Sequence, residues 1–226
     1  MSVIAENLQY VRERVAAANQ LSGVDAELMV VSKTWPTEVV AEAVDAGQLI
    51  FGENKLQEGE VKVPSLPSDL EWHFIGGLQR NKVRKVLSLF SVVHSVSSLR
   101  LAGFMNRVAG EMGYRPDIFL EVNIGEEKTK GGFAPEELRK SWDEILECSN
   151  LSVQGLMCIP PRVSEPEEAR PWFAAVRELQ QELRVRGGLE LPQLSMGMSG
   201  DYEVAIEEGS TIVRVGSAVF GPRLGR

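Results

Sequence analysis

The chain is poor in cysteine and in histidine: its 226 residues contain two of each. Cys148 and Cys158 show neither CxxC spacing nor a secretory context. A disulfide framework and a cysteine-based metal site are therefore not expected, and both thiols should be reduced. His73 and His94 come without matched acidic spacing, so no metal is assigned to them. Basic residues are outnumbered, 24 Lys and Arg against 32 Asp and Glu, giving a net charge of −8. That balance opposes broad binding to nucleic acid or anionic membranes and points to a small ligand. Long apolar runs are missing too, and the opening MSVIAENLQYVRERV mixes charges into an amphipathic pattern where a signal peptide would have an apolar core. No membrane span is expected, and a cytoplasmic location is. No early G-x-G-x-x-G turn appears, which argues against a doubly wound dinucleotide-binding sheet. Internal repeats, linkers and low-complexity segments are likewise missing, so one domain over residues 1–226, without a second β-domain, is expected.

What the sequence does contain is a rhythm. After an amphipathic helix with Ile4, Leu8, Val11 and Val15 on one face, eight short apolar runs alternate with helical patterns. The strand candidates span 27–33, 49–54, 71–76, 91–96, 117–123, 151–157, 191–196 and 211–217. Helical stripes recur between them, as at Leu101, Phe104, Met105 and Val108, or Trp172, Val176, Leu179 and Leu183. Thr34 and Pro36 suit a helix start before residues 37–46, Gly47 its end, and Pro135 and Pro166 later helix starts. Eight βα units at about 28 residues each approach the ~30 of a minimal unit. The expected fold is α/β, a single (β/α)8 TIM-type barrel with an extra N-terminal helix.

Polar or reactive residues sit near the ends of these strands: Lys33, Asn54, His73, His94, Asn123, Ser195 and Arg214. In a TIM-type barrel the C-terminal ends of the strands form the active face. Met29, Val31 and Lys33 share one face of the first strand, as Ile212 and Arg214 do in the last. A lysine following LMVV either snorkels to solvent or is held partly desolvated, where its amine becomes a nucleophile suited to Schiff-base chemistry. MGMSGD and VGSAVF follow strands seven and eight, where such barrels commonly bind phosphate. Gly197 and Gly200 permit close backbone approach, Ser199 can cap a helix beginning near Asp201, and Gly216 with Ser217 opens a second helix. An ordinary glycine-rich capped turn has the same sequence. Arg214 can donate to a heterocyclic nitrogen and keep it unprotonated, or can pair with a carboxylate such as Glu121. His73 is either a cofactor contact or a satisfied core histidine. Arg80, Lys82, Arg84 and Lys85 read as a solvated helix face or as an anion or partner contact.

Six motifs in order, VSKTWP, FGENKLQEG, WHFIGGLQRNK, EVNIGEEKTKGGF, GLMCIPP and LSMGMSGDYEVAIEEGSTIVRVGSAVFG, resemble the pyridoxal-phosphate homeostasis (YggS/PROSC) family almost end to end. The resemblance implies a fold-type III barrel similar to the N-terminal domain of alanine racemase. It implies pyridoxal 5'-phosphate as cofactor, with Lys33 as the Schiff-base lysine and Arg214 as the partner of the pyridine nitrogen. It further assigns Met196, Gly197, Ser199, Gly216 and Ser217 to the cofactor and phosphate loops, and Asn54 and His73 to direct cofactor contacts. Gly77, Ser97 and Ser217 depart from the commonest family pattern, and Ser217 keeps the hydroxyl of the more frequent threonine.

The function this implies is that of a cofactor carrier and regulator acting on vitamin B6 and on amino-acid and keto-acid pools. No substantial turnover is expected, a monomer is, and the implied protein partners are cofactor-dependent apo-enzymes or a regulatory protein. Lys130, on the loop after the fifth strand, is the candidate second amine. Two competing readings are an amino-acid racemase or decarboxylase using the same cofactor, and an interaction module whose ligand state is sensed by a partner.

Overall fold

The computed structural model describes residues 2–222. Eight parallel strands close in sequence order: β1 (Glu27–Val31), β2 (Ile50–Glu53), β3 (Glu71–Phe74), β4 (Val92–Val96), β5 (Asp117–Val122), β6 (Ser152–Cys158), β7 (Gln193–Met198) and β8 (Ile212–Val215). Closure runs through β1 and β8, where Glu27 pairs with Ile212 and Met29 with Arg214. The helices are α1 (Val3–Ser22), α2 (Thr37–Asp45), α3 (Leu56–Lys62), α4 (Val83–Leu89), α5 (Leu99–Met112), α6 (Pro135–Leu146), α7 (Arg170–Gly187), α8 (Tyr202–Glu207) and α9 (Ser217–Phe220). This is the expected (β/α)8 barrel with an extra N-terminal helix.

Strand parity divides the core in two. Met29, Val92, Phe119, Met157 and Ile212 fill the barrel interior, while Val30, Phe51, Val93, Ile118 and Leu156 face the helices. Successive residues point to opposite faces, so Met29 lies inside and Val30 outside. The last two helices, six and four residues long, are too short to cover the outer face where β8 meets β1. The long α1 covers it instead, burying Leu8, Val11, Val15 and Ala18 against that side and contacting α8 and α9. Asn7 Nδ2 donates to the Val219 carbonyl at 3.0 Å, and Arg14 pairs with Glu203, fixing the helix there.

Several strands are shorter than the apolar runs suggest. The β1 ladder ends at Val31, paired with Gly52, so Lys33 stands on the loop two residues beyond the strand. The Ser32 N–H still donates to the Gly52 carbonyl at 3.1 Å, but its own carbonyl accepts from Lys62 Nζ and its hydroxyl donates to Glu53. Thr34 does not cap α2: its N–H donates to Glu58 Oε2 at 2.6 Å, and Pro36 takes the cap position. On α7 the buried aromatic is Phe173, with Trp172 only half-buried. Pro135 occupies the first turn of α6 as expected, and Pro166 opens the 3-10 turn before α7. Among the described residues no helix is long and apolar enough to cross a membrane.

Candidate functional site

A cavity of about 480 Å3 opens at the C-terminal mouth of the barrel. Seven of the residues singled out from sequence line it: Lys33, Asn54, Ser199, Gly200, Arg214, Gly216 and Ser217. They arrive from the loops after β1, β2, β7 and β8 and from β8 itself. Val31, Ile75, Met157, Ile159 and Met198 supply apolar walls. Gly76 is required by a close approach: a Cβ there would lie 1.9 Å from the Asn54 carbonyl oxygen. Gly77, by contrast, has open space around it.

Lys33 is half-buried, and its neighbour Thr34 has φ of 70°, a left-handed conformation uncommon for a residue other than glycine. Asn54 Oδ1 is buried at the cavity without a hydrogen-bond partner within the protein. Arg214, 4% exposed, does not hydrogen-bond to Glu121: it donates from Nη1 to Ser195 Oγ and from Nη2 to the Cys158 carbonyl, each at 2.8 Å. Burial lowers its pKa, against the opposing pull of Cys158, Asp201 and Glu121. A guanidinium remains protonated at any accessible pH, so a permanent cation sits in the cavity floor. Burial in turn raises the Glu121 and Asp201 carboxyls, with Arg214 working against it in both.

Ser199 does not cap the helix beginning near Asp201. Its hydroxyl oxygen accepts from the N–H groups of Gly216 and Ala218, at 3.2 and 3.3 Å, and so ties the loop after β7 to the start of α9. The carboxylate of Asp201 accepts from the Met198 N–H at 2.6 Å. Two backbone donors thus converge on one oxygen beside the cavity, an arrangement that suits an anionic oxygen.

Met196, Gly197, His73 and Lys130, all candidates from sequence, lie off the cavity lining. Met196 is fully buried among the residues facing the helices, and Gly197 packs against α8, where a Cβ would lie 2.6 Å from that of Ala205. A register shift of β7 against β8 between Ser195 and Met198 interrupts simple parity, so Met198 reaches the cavity. His73 lies within β3, its ring nitrogens 2.8 Å from Glu71 Oε1 and 2.9 Å from His94 Nε2. Lys130 pairs with Glu127 and donates to the Pro160 carbonyl at 3.3 Å. It lines a neighbouring cleft that shares Ile159, Met198 and Gly200 with the main cavity.

Sequence reading overlooked Glu53 and Lys62, which form a buried ion pair behind the Lys33 loop. Both lie in amphipathic stretches with ordinary composition, and only the positions of Glu53 at a strand end and Lys62 one α-helical turn beyond Glu58 hinted at them. Among the described residues, no group of three or more His, Cys, Asp or Glu is arranged to hold a metal ion.

The profile of the family "Alanine racemase, N-terminal domain" matches residues 3–223. The pyridoxal phosphate homeostasis protein of Aquifex aeolicus is 45% identical over 222 residues, covering 96% of this chain and 97% of that protein. The protein of that name from Pseudomonas aeruginosa is 42% identical over 230 residues, 99% of this chain and 97% of its own length. The structure of PipY from Synechococcus elongatus with PLP bound is similar at a TM-score of 0.86 and 37% identity, covering 96% of this chain and 100% of that one. Alanine racemase from Bartonella henselae shares the fold at a TM-score of 0.76 and 14% identity, and the match covers 97% of this chain but 58% of the racemase. Full-length similarity at these identities, joined to the family profile, carries one conclusion: the chain belongs to the pyridoxal phosphate homeostasis proteins, within the alanine racemase N-terminal domain family.

Proposed function

We propose that this protein binds pyridoxal 5'-phosphate at the mouth of its barrel, with Lys33 as the carrier amine, and holds and delivers the cofactor without catalytic turnover. The observation that carries the proposal is the convergence on one cavity of an amine, a buried guanidinium and a pair of backbone donors already aimed at an oxygen. The unprotonated amine of Lys33 adds to the aldehyde carbon, a C=N bond forms, and the aldehyde oxygen leaves as water. When bound, the cofactor supplies an aldehyde and an electron-accepting ring. Arg214 faces the ring nitrogen and keeps it unprotonated, which weakens the ring as an electron sink. Ser199, Gly216 and Ser217 hold the phosphate, and Asn54 contacts the ring through its unpartnered oxygen. Met196, Gly197 and His73 act from behind these groups by packing and hydrogen bonding.

Support for carriage over catalysis lies in the cavity wall. Among the described residues that line it, Lys33 and Arg214 are the ionisable ones, so no second acid or base joins Lys33 in that lining. Racemisation or decarboxylation requires a positioned proton donor or acceptor on the opposite face. The mouth remains open to exchange with other amines, which suits transfer to apo-enzymes or sensing by a regulatory protein. We assign this role to a cytoplasmic monomer.

The test is direct. Protein loaded with pyridoxal phosphate is reduced with borohydride and peptide-mapped, which should place the adduct on Lys33 and not on Lys130. The loaded protein is then incubated with L- and D-amino acids while chirality and carbon dioxide are followed, with Lys33→Ala as control. Cofactor delivery to an apo-enzyme without turnover supports carriage. Lys33-dependent multiple turnover overturns it.

A further inference from the structure

A file of hydrogen-bonded polar side chains crosses the barrel from its far end to Arg214. It begins at Glu71, the first residue of β3, whose side chain is 48% accessible on the face opposite the cavity. His73 Nε2 lies 2.8 Å from Glu71 Oε1, and His73 Nδ1 lies 2.9 Å from His94 Nε2. His94 Nδ1 lies 2.9 Å from Ser195 Oγ, which accepts from Arg214 at 2.8 Å. The step from β4 to β7 passes through the interior, between residues 101 positions apart. His73, His94 and Ser195 are all buried, and His94 stacks on Phe119 with ring centroids 4.2 Å apart.

Chemistry gives this file a direction. Arginine only donates, so Ser195 Oγ accepts from Arg214 and its own hydrogen has His94 Nδ1 as acceptor. His94 then carries its proton on Nε2 and donates to His73 Nδ1, leaving His73 Nε2–H to donate to Glu71. Complete burial, together with the neighbouring His73 and Arg214, holds the His94 pKa well below its ordinary value, which agrees with a neutral His94 ring. Every donor from Arg214 onward points toward Glu71, with a fixed cation at one end and a carboxylate at the other. Packing alone does not call for this. Met29, Val92, Phe119, Met157 and Ile212 form an apolar cluster in the same interior, and buried polar groups cost free energy unless all are bonded.

We propose that Ser195, His94 and His73 are positioning residues for Arg214, anchoring one side of its guanidinium to Glu71 at the far end of the barrel so that its remaining donors face the cavity. The inference rests on Arg214 being the partner of the cofactor's ring nitrogen. The Cys158 carbonyl anchors a second edge of the same guanidinium, so the two anchors together fix its plane.

Two measurements test it. The chain contains two histidines, so 15N side-chain NMR of the cofactor-free protein shows two rings, and the spectrum of His94→Phe tells which is which. Both should be neutral Nε2–H tautomers; a proton on His94 Nδ1 overturns the direction of the file. The second measurement uses pyridoxal phosphate itself, reading the affinity and the absorption maximum of the bound form in variants whose cofactor-free melting shows them folded. Ser195→Ala should weaken binding roughly tenfold and shift the absorption maximum. Ser195→Thr, which keeps the hydroxyl, should restore both. In an Arg214→Gln background Ser195→Ala should add nothing further, because its effect passes through Arg214. Should Ser195→Ala fail to fold, His94→Phe, which keeps a ring against Phe119, carries the same comparison. Unchanged binding and spectrum in a folded Ser195→Ala protein, or an effect that adds fully to Arg214→Gln, overturns the proposal while leaving the cofactor reading intact. A wild-type protein that takes up no pyridoxal phosphate overturns the cofactor reading, and the tautomers then still decide the direction of the file.

Discussion

Lys62 Nζ lies 2.5 Å from Glu53 Oε1, in a pair whose side chains are 4% and 0% accessible, directly behind the loop that carries Lys33. The same ammonium donates to the Ser32 carbonyl at 2.8 Å and pairs with Glu58 at 3.2 Å. Glu58 in turn accepts the N–H of Thr34 at 2.6 Å, and Ser32 Oγ donates to Glu53 at 2.7 Å. Both residues flanking Lys33 are thus held by one network, buried at Glu53 and Lys62. Burial pushes the Glu53 carboxyl up, while Lys62 and Ser32 pull it down.

Removing one partner strands the other charge in the protein interior, which typically costs about 3–5 kcal/mol. Lys62→Met should therefore lower stability by roughly that amount in urea denaturation. The double replacement Lys62→Met with Glu53→Gln should recover part of the loss, because no charge is left buried alone. Equal stability of the single and double variants would show that the ion pair is not what Lys62 contributes.

The phosphate assignment predicts a difference between two ligands. Hydrogen bonds to a charged oxygen are worth about 1.5–3 kcal/mol each. Ser199→Ala and Ser217→Ala should thus weaken pyridoxal phosphate by at least tenfold, on the order of 1.4 kcal/mol, and leave unphosphorylated pyridoxal nearly unaffected. Titration of both ligands checks this. Equal losses would move the phosphate elsewhere.

Glu71 predicts a pH dependence. The hydrogen bond with His73 holds its carboxyl below the ordinary value, with partial burial acting in the opposite sense. A carboxylate with a depressed pKa contributes stability that is present above its unfolded value of about 4.3 and is lost as the pH falls through the folded value. The melting-temperature difference between wild type and Glu71→Gln should accordingly hold steady from about pH 7 to 5 and shrink below about pH 4. A difference that grows on acidification would contradict the pairing.

The barrel was legible in the sequence because it is a local pattern repeated eight times. Alternation within strands, helical stripes between them and proline at helix starts each act over a few residues, and parallel strands joined by helices leave few ways to close. The mouth was legible for a related reason: a lysine after Val31 or an arginine after Val213 falls near a strand end, and strand ends share one face. Strand lengths were less so, since apolar character continues past Val31 while the ladder stops there.

Tertiary structure alone decided the partners. Ser199 lines the cavity, yet its hydroxyl meets Gly216 and Ala218 instead of the helix that follows it in sequence. Met198 replaced Met196 at the wall because a register shift interrupts β7, and such a shift depends on the neighbouring strand. His94 and Ser195 are polar residues in apolar runs, and nothing in either run shows that they meet across the barrel. The same holds for Lys62, a helix-end lysine by sequence and a buried cation in space. Secondary structure follows from interactions among near neighbours, so the sequence by itself determined the eight units and their order. Which buried polar groups satisfy one another depends on closure of the barrel, which brings residues distant in the chain to hydrogen-bonding distance and leaves no local signature.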